Sequence, residues 1–223
     1  MKIKNITLPN YTKGEEIFNM VSHIVGGAMG IIATILCIIF AAHANNTRGV
    51  IQGTVFGASM TAVFTISSVY HGLKKERTSK KVMRVLDHCT IYLLIAGTYT
   101  PISLGALRRV DQSAGWAVFA FIWIMAAIGI ALNIIDLEKF KIPSMICYIF
   151  MGWSIVAVWK KTCEALGTGG MALLLAGGIA YTVGALLYII GKKRNFRYMH
   201  SVFHLFVDLG SLLHFLCILL YVM

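Results

Sequence analysis

Seven histidines punctuate a largely apolar chain, and the spacing of three of them with one aspartate and one serine is what could do chemistry. His200 and His204 stand four residues apart, so on a helix they stack on one face. His71 closes one long apolar run, Asp87 opens the next, and Ser67 lies one helical turn before His71. Three neutral imidazoles suit zinc, which takes nitrogen ligands at about 2.0 to 2.1 Å and in catalytic sites leaves one tetrahedral position to water. In that chemistry His71, His200 and His204 are the ligands. Asp87 is the base or hydrogen-bond partner of the water, and the Ser67 hydroxyl meets that water or a developing oxyanion. The plainer alternative is that these side chains only hydrogen-bond helix to helix. An i,i+4 pair alone argues little for a metal; agreement of three separate segments at one depth strengthens that reading and leaves both open.

The other polar residues divide by position. His23, with Asn19 one turn before it, either supports the ligands from behind or merely marks a helix entry. His214 lies ten residues past His204, about 15 Å of helix rise, too far to share an ion, and reads as a buried hydrogen-bonding residue. His88 points about 100° away from Asp87, and His43 falls at the opposite end of its run, so neither reads as a ligand. Asp208 shares a face with His204 and would bond a ligand imidazole, line a polar cavity or pair with another helix.

The elements that must carry these residues follow from composition. The 223 residues are 58% hydrophobic and 13% charged, with mean hydropathy +0.77, too apolar to be buried in one soluble core. Lipid is therefore the solvent. A span needs roughly 20 mostly apolar residues, and seven runs qualify: Phe18 to Ala42, Val50 to Leu73, Val85 to Leu107, Ala114 to Ile135, Ile142 to Trp159, Met171 to Ile190 and Val202 to Met223. The fold class expected is an all-α integral membrane bundle of seven transmembrane helices. Residues 1–16 form a cytoplasmic N-terminal segment, and 17–223 form a single membrane domain. The first run is too long for a signal-peptide core and lacks a small-residue cleavage pattern, so it is expected to remain as a helix.

Charge orients the bundle. Fifteen Lys and Arg fall on the side holding the N-terminus and five on the other, which places the N-terminus inside and the C-terminus outside. The net charge of +11 sits in short loops between apolar runs, where anionic inner-leaflet lipid explains it better than nucleic acid. Five scattered cysteines with no CxxC pair predict neither a disulfide framework nor a thiolate metal site. Gly26 and Gly30, and Gly53 and Gly57, have the spacing that lets membrane helices pack closely, and Pro101 predicts a kink in the third run.

With these motifs in order, the chain resembles the hemolysin III branch of the progestin and adipoQ receptor superfamily. The resemblance rests on Glu16, Asn19, Ser22 and His23 in the first run and on Ser67 and His71 in the second. It continues with Leu86, Asp87, Gly97 and Pro101 in the third, and with His200, His204, His214 and Phe215 in the seventh. It implies a seven-helix bundle with zinc near the inner face on His71, His200 and His204, with Asp87 and Ser67 beside it. Related families imply lipid-amide hydrolysis by a zinc-bound water, and bacterial members imply a plasma-membrane protein of lipid and fluidity homeostasis, partnered with membrane lipids. Two other readings stay open: a receptor-like or structural protein whose zinc clamps helices, and cytolysis as a secondary effect. A secreted toxin fits poorly with a chain hydrophobic throughout.

Overall fold

The computed structural model describes residues 3–223 and is all-helical among them. Its long helices are α1 (Lys13–His43), α2 (Thr47–Gly72), α3 (Thr78–Pro101), α5 (Gln112–Trp153), α6 (Trp159–Arg194) and α7 (Met199–Tyr221), with a three-residue α4 (Arg108–Val110) between α3 and α5. By length and composition five helical stretches can cross a membrane: α1, α2, Thr78–Val110, the 83-residue stretch Gln112–Arg194, and α7. Large apolar side chains such as Ile24, Val25, Ile51, Ile124 and Ile146 face outward, as lipid-facing positions should.

The helix starts have local causes. Thr12 and Glu15 form a capping box: Thr12 Oγ1 accepts from Glu15 N at 3.3 Å, and Glu15 Oε2 accepts from Thr12 N at 2.8 Å. α1 therefore begins at Lys13, five residues before the apolar run. The second oxygen of Glu15 accepts from Tyr198 N at 2.8 Å, just before α7, where Tyr198 offers no side-chain cap of its own. One carboxylate thus anchors two helix N-termini and brings α7 against α1. Asn46 caps α2 through Gly49 N, and Asp111 caps α5 through Ala114 N, each at 2.9 Å.

α1 and α2 pack closely through their glycines. A methyl group on Gly30 would stand 2.7 Å from Thr61 N, and one on Gly57 would stand 2.6 Å from Thr34 Cα. The expected disturbance at Pro101 is a change of register: the α-helix ends there and continues as a π-helix over Ile102–Leu107. Proline lacks the N–H that would bond one turn back, so the α ladder cannot continue unbroken.

The 83-residue stretch is not one straight rod. Its backbone leaves helical geometry at Asp136 (φ −159, ψ 90) and at Gly167 (φ 64, ψ −178), with a 3-10 segment at Ser154–Val158. A straight helix would separate Phe121 from Phe150 by roughly 44 Å, but their ring centroids are 6.1 Å apart. Ser144 Oγ donates to Asn133 Oδ1 at 2.6 Å across the first break, and Trp153 Nε1 donates to Thr182 Oγ1 at 3.0 Å across the second. The chain folds back at both. Asp136 starts the next piece by accepting from Lys139 N at 3.2 Å.

Candidate metal centre

The N-terminal end of α1, the C-terminal end of α2 and the N-terminal ends of α3 and α7 meet at one end of the bundle. There His71, His200 and His204 each present one ring nitrogen, all within 4.8 Å of one another. His71 and His204 are each only 2% exposed. The orientation of each ring follows from what holds its other nitrogen. Glu16 Oε2 lies 2.6 Å from His71 Nδ1, and Glu16 Oε1 accepts from Lys80 Nζ at 2.7 Å. An ionised carboxylate only accepts, so Nδ1 carries the proton and Nε2 keeps its lone pair. That Nε2 is buried without a hydrogen-bond partner among the described residues.

His204 is held likewise. Ser22 Oγ donates to the Asn19 carbonyl at 3.1 Å, which leaves it free to accept from His204 Nδ1 at 3.4 Å. His204 Nε2 then faces His200 Nε2 at 3.1 Å. Two imidazole nitrogens on one tetrahedral zinc would stand about 3.3 Å apart, so the pair is already near ligand spacing. The partnerless Nε2 of His71, the facing Nε2 atoms and the all-imidazole donor set fit a divalent ion, and the cluster could hold one.

The other residues singled out in the sequence fall as follows. His23 stacks on His204, centroids 3.7 Å apart and planes 4° apart, with both of its nitrogens buried and unpartnered among the described residues. Asn19 Oδ1 accepts from Ser201 Oγ at 2.7 Å, tying α1 to α7 between the two histidines of that helix. Ser67 is buried one turn from His71, and its hydroxyl makes no hydrogen bond to another described residue. Asp87 lies near the start of α3, its Oδ2 3.9 Å from His88 Nδ1, and no hydrogen bond or ion pair among the described residues joins it to the three histidines. His88 Nδ1 donates to the Arg84 carbonyl at 2.9 Å, His43 is exposed at the far end of α1, and His214 Nε2 donates to the Leu174 carbonyl at 3.0 Å. Asp208 turns Oδ1 toward Gly26, where a Cβ would stand 2.7 Å away.

Two residues around the cluster, Lys80 and Tyr11, and the role of a third escaped the sequence reading. Glu16 was visible as part of a motif, but its grip on His71 spans 55 positions. Lys80 is 2% exposed, and it also donates to the Leu73 carbonyl at 2.9 Å, so it ties α3 to the end of α2. Tyr11 stacks on His200 with centroids 5.1 Å apart and planes 7° apart, covering the cluster from the N-terminal segment. Burial pushes the Tyr11 hydroxyl pKa well up, so it stays neutral there.

Known proteins resemble this chain along most of its length. The model of the family described as haemolysin-III related matches residues 11–215. The chain is 40% identical over 209 residues to hemolysin-3 of Bacillus cereus, covering 94% of this chain and 92% of that protein. It is 36% identical over 211 residues to the hemolysin-3 homolog of Bacillus subtilis (strain 168), covering 95% and 96%. Monocyte to macrophage differentiation factor of Homo sapiens is 29% identical over 173 residues, covering 75% and 69%.

Proposed function

We propose, since the chain belongs to the haemolysin-III related family, that this multi-pass membrane protein is a zinc-dependent protein of plasma-membrane lipid homeostasis that hydrolyses a lipid amide or ester. The observation that carries the proposal is the buried convergence of His71, His200 and His204 from separate segments, with His71 oriented by Glu16. A lone histidine pair would suit interhelical bonding; three rings with aligned nitrogens and a carboxylate behind one of them suit an ion better.

The proposal includes seven crossings, N-terminus inside. The breaks at Asp136 and Gly167 divide Gln112–Arg194 into three pieces. Each is about 24 residues or longer, rising roughly 36 Å or more against a hydrocarbon core of ~30 Å. With the four other candidate spans this makes seven. The fifteen basic residues then lie on the cytoplasmic side together with the histidine cluster.

In this reading His71, His200 and His204 hold the ion, Glu16 keeps His71 in the tautomer that leaves Nε2 free, and Ser22 does the same for His204. Bound zinc would supply Lewis-acid chemistry, polarising a carbonyl or acidifying a water. Asp87 takes a proton, its carboxylate being paired with none of the three clustered histidines, and the Ser67 hydroxyl donates to the oxygen on which charge develops. Tyr11 and the packed ends of α1 and α7 keep bulk water from the rings.

The test is metal analysis of the purified protein combined with lipid extracts from cells with and without it. Asp87→Asn should retain the metal and lose the lipid phenotype, since removing general acid or base help typically costs about 10² to 10⁴ in rate. Full rescue of a deletion strain by Asp87→Asn with zinc still bound would replace the hydrolase by a zinc that only clamps α2 to α7.

A further inference from the structure

Beside the histidine cluster lies a cleft of about 460 Å³ whose lining includes His71 and Tyr11. That volume is within the usual range for small-molecule sites. Its walls differ in character. On α1, Ile17 and Met20 form an apolar strip, joined by Leu73 at the end of α2. Ile17 is 47% exposed, and the exposed apolar face of α1 continues through Val21 and Ile24, so the cleft runs into a surface suited to acyl chains. The rest of the lining is largely charged, with Lys13 one turn before Ile17 on α1 itself.

Four lysines, Lys13, Lys74, Lys75 and Lys80, line the cleft against Glu16 and Glu76. Lys80 is committed to Glu16, which also holds His71. Lys75 donates to the Asn10 side-chain carbonyl at 2.9 Å, which leaves its charge uncompensated. Lys13 and Lys74 are exposed and form no ion pair with another described residue. Three ammonium groups with no ion-pair partner among the described residues thus share the cleft with the single carboxylate of Glu76, a net excess of positive charge beside an apolar strip and next to His71. Ammonium groups bind phosphate as point charges, whereas a lipid with an uncharged head would leave that excess positive charge unmatched.

We propose that the lipid this protein takes is an anionic phospholipid, its phosphate head held by Lys13, Lys74 and Lys75 and its chain laid along Ile17 and Met20, with the head reaching His71. The proposal rests on the reading of the histidine cluster for the place where the lipid is used. It adds the class of lipid head. The occupant is the membrane lipid and not a soluble phosphate, because the apolar strip would be left uncovered by a soluble ion.

The experiment uses the full chain, zinc-loaded, in phosphatidylcholine nanodiscs containing a trace of phosphatidylglycerol with a photoreactive diazirine in its acyl chain. After irradiation, adducts should concentrate on the segments holding Ile17, Met20 and Leu73. Unlabelled phosphatidylglycerol should suppress them, and added phosphatidylcholine or soluble glycerol 3-phosphate should not. Attraction of an anionic head by one surface lysine corresponds to about a fivefold effect. Lys13→Gln, Lys74→Gln and Lys75→Gln should therefore each lower the adduct yield about fivefold at low salt, with zinc content unchanged. Adducts spread evenly over the lipid-facing helices, equal competition by phosphatidylcholine, or full suppression by glycerol 3-phosphate would each overturn the proposal. Zinc binding and lipid turnover with lysine-independent adducts would remove the cleft and leave the histidine reading standing. Adducts in the cleft of a protein that binds no zinc would do the reverse.

Discussion

At the scale of single residues, the centre depends on partners that orient imidazoles as much as on the imidazoles themselves. His71→Ala, His200→Ala and His204→Ala should each abolish stoichiometric zinc, while His43→Ala and His88→Ala should leave it intact, as elemental analysis of purified variants would show. His43 is exposed at the other end of α1, and His88 turns to the Arg84 carbonyl. Glu16→Gln is the sharper test. The amide can still accept from His71 Nδ1, but it lacks the charge that raises the basicity of Nε2 and balances Lys80. Loss of such a partner typically lowers metal affinity about 10- to 100-fold, so zinc should be stripped from Glu16→Gln at correspondingly lower chelator concentration. Unchanged affinity would mean that Glu16 serves Lys80 alone.

At the scale of elements, two glycines separate backbone demands from packing demands. Gly167 sits at φ 64 and ψ −178, a region open almost only to glycine, and a methyl group there meets nothing within 4 Å. Gly167→Ala should therefore destabilise through the backbone alone, by about 1 to 3 kcal/mol, seen as a lower unfolding temperature in detergent. Gly152 has the same open surroundings but lies in helical backbone, so Gly152→Ala should be neutral or slightly stabilising. Gly57 is the opposite case: its helix is regular, but Thr34 lies against it. Gly57→Val should force α1 from α2, lowering thermal stability and, because α1 carries Glu16 and α2 carries His71, zinc retention with it.

At the scale of the whole molecule, the proposed seven crossings make the reversals at Asp136 and Gly167 the points where the chain turns back at opposite faces of the membrane. Single cysteines placed at Lys139 and Lys161 in a chain otherwise free of cysteine should label from opposite sides of the membrane, Lys139 from inside and Lys161 from outside. Labelling of both from one side would leave the two reversals inside the bundle without a crossing between them. Arg77 should label from inside and Met223 from outside, in keeping with the distribution of basic residues.

The membrane character of the chain and the grouping of His71, His200 and His204 were legible in the sequence, because both depend on local quantities. Apolar run length reports the bilayer, the four-residue spacing of His200 and His204 reports a shared helical face, and the alternation of runs brings His71 to the same end. Pro101 and the glycine spacings were legible for the same reason, since each acts within a turn of helix or between adjacent helices. Tertiary structure alone decided what stands behind and beside the histidines. Glu16 reaches His71 across 55 positions, Glu15 reaches Tyr198 across 183, and Lys13 and Tyr11 come to one cleft with Lys74 and Lys75. No periodicity encodes such meetings. They arise because close packing of α1 against α2 and α7 sets which polar side chains share a buried space, and a polar group buried there must find whichever partner the packing supplies.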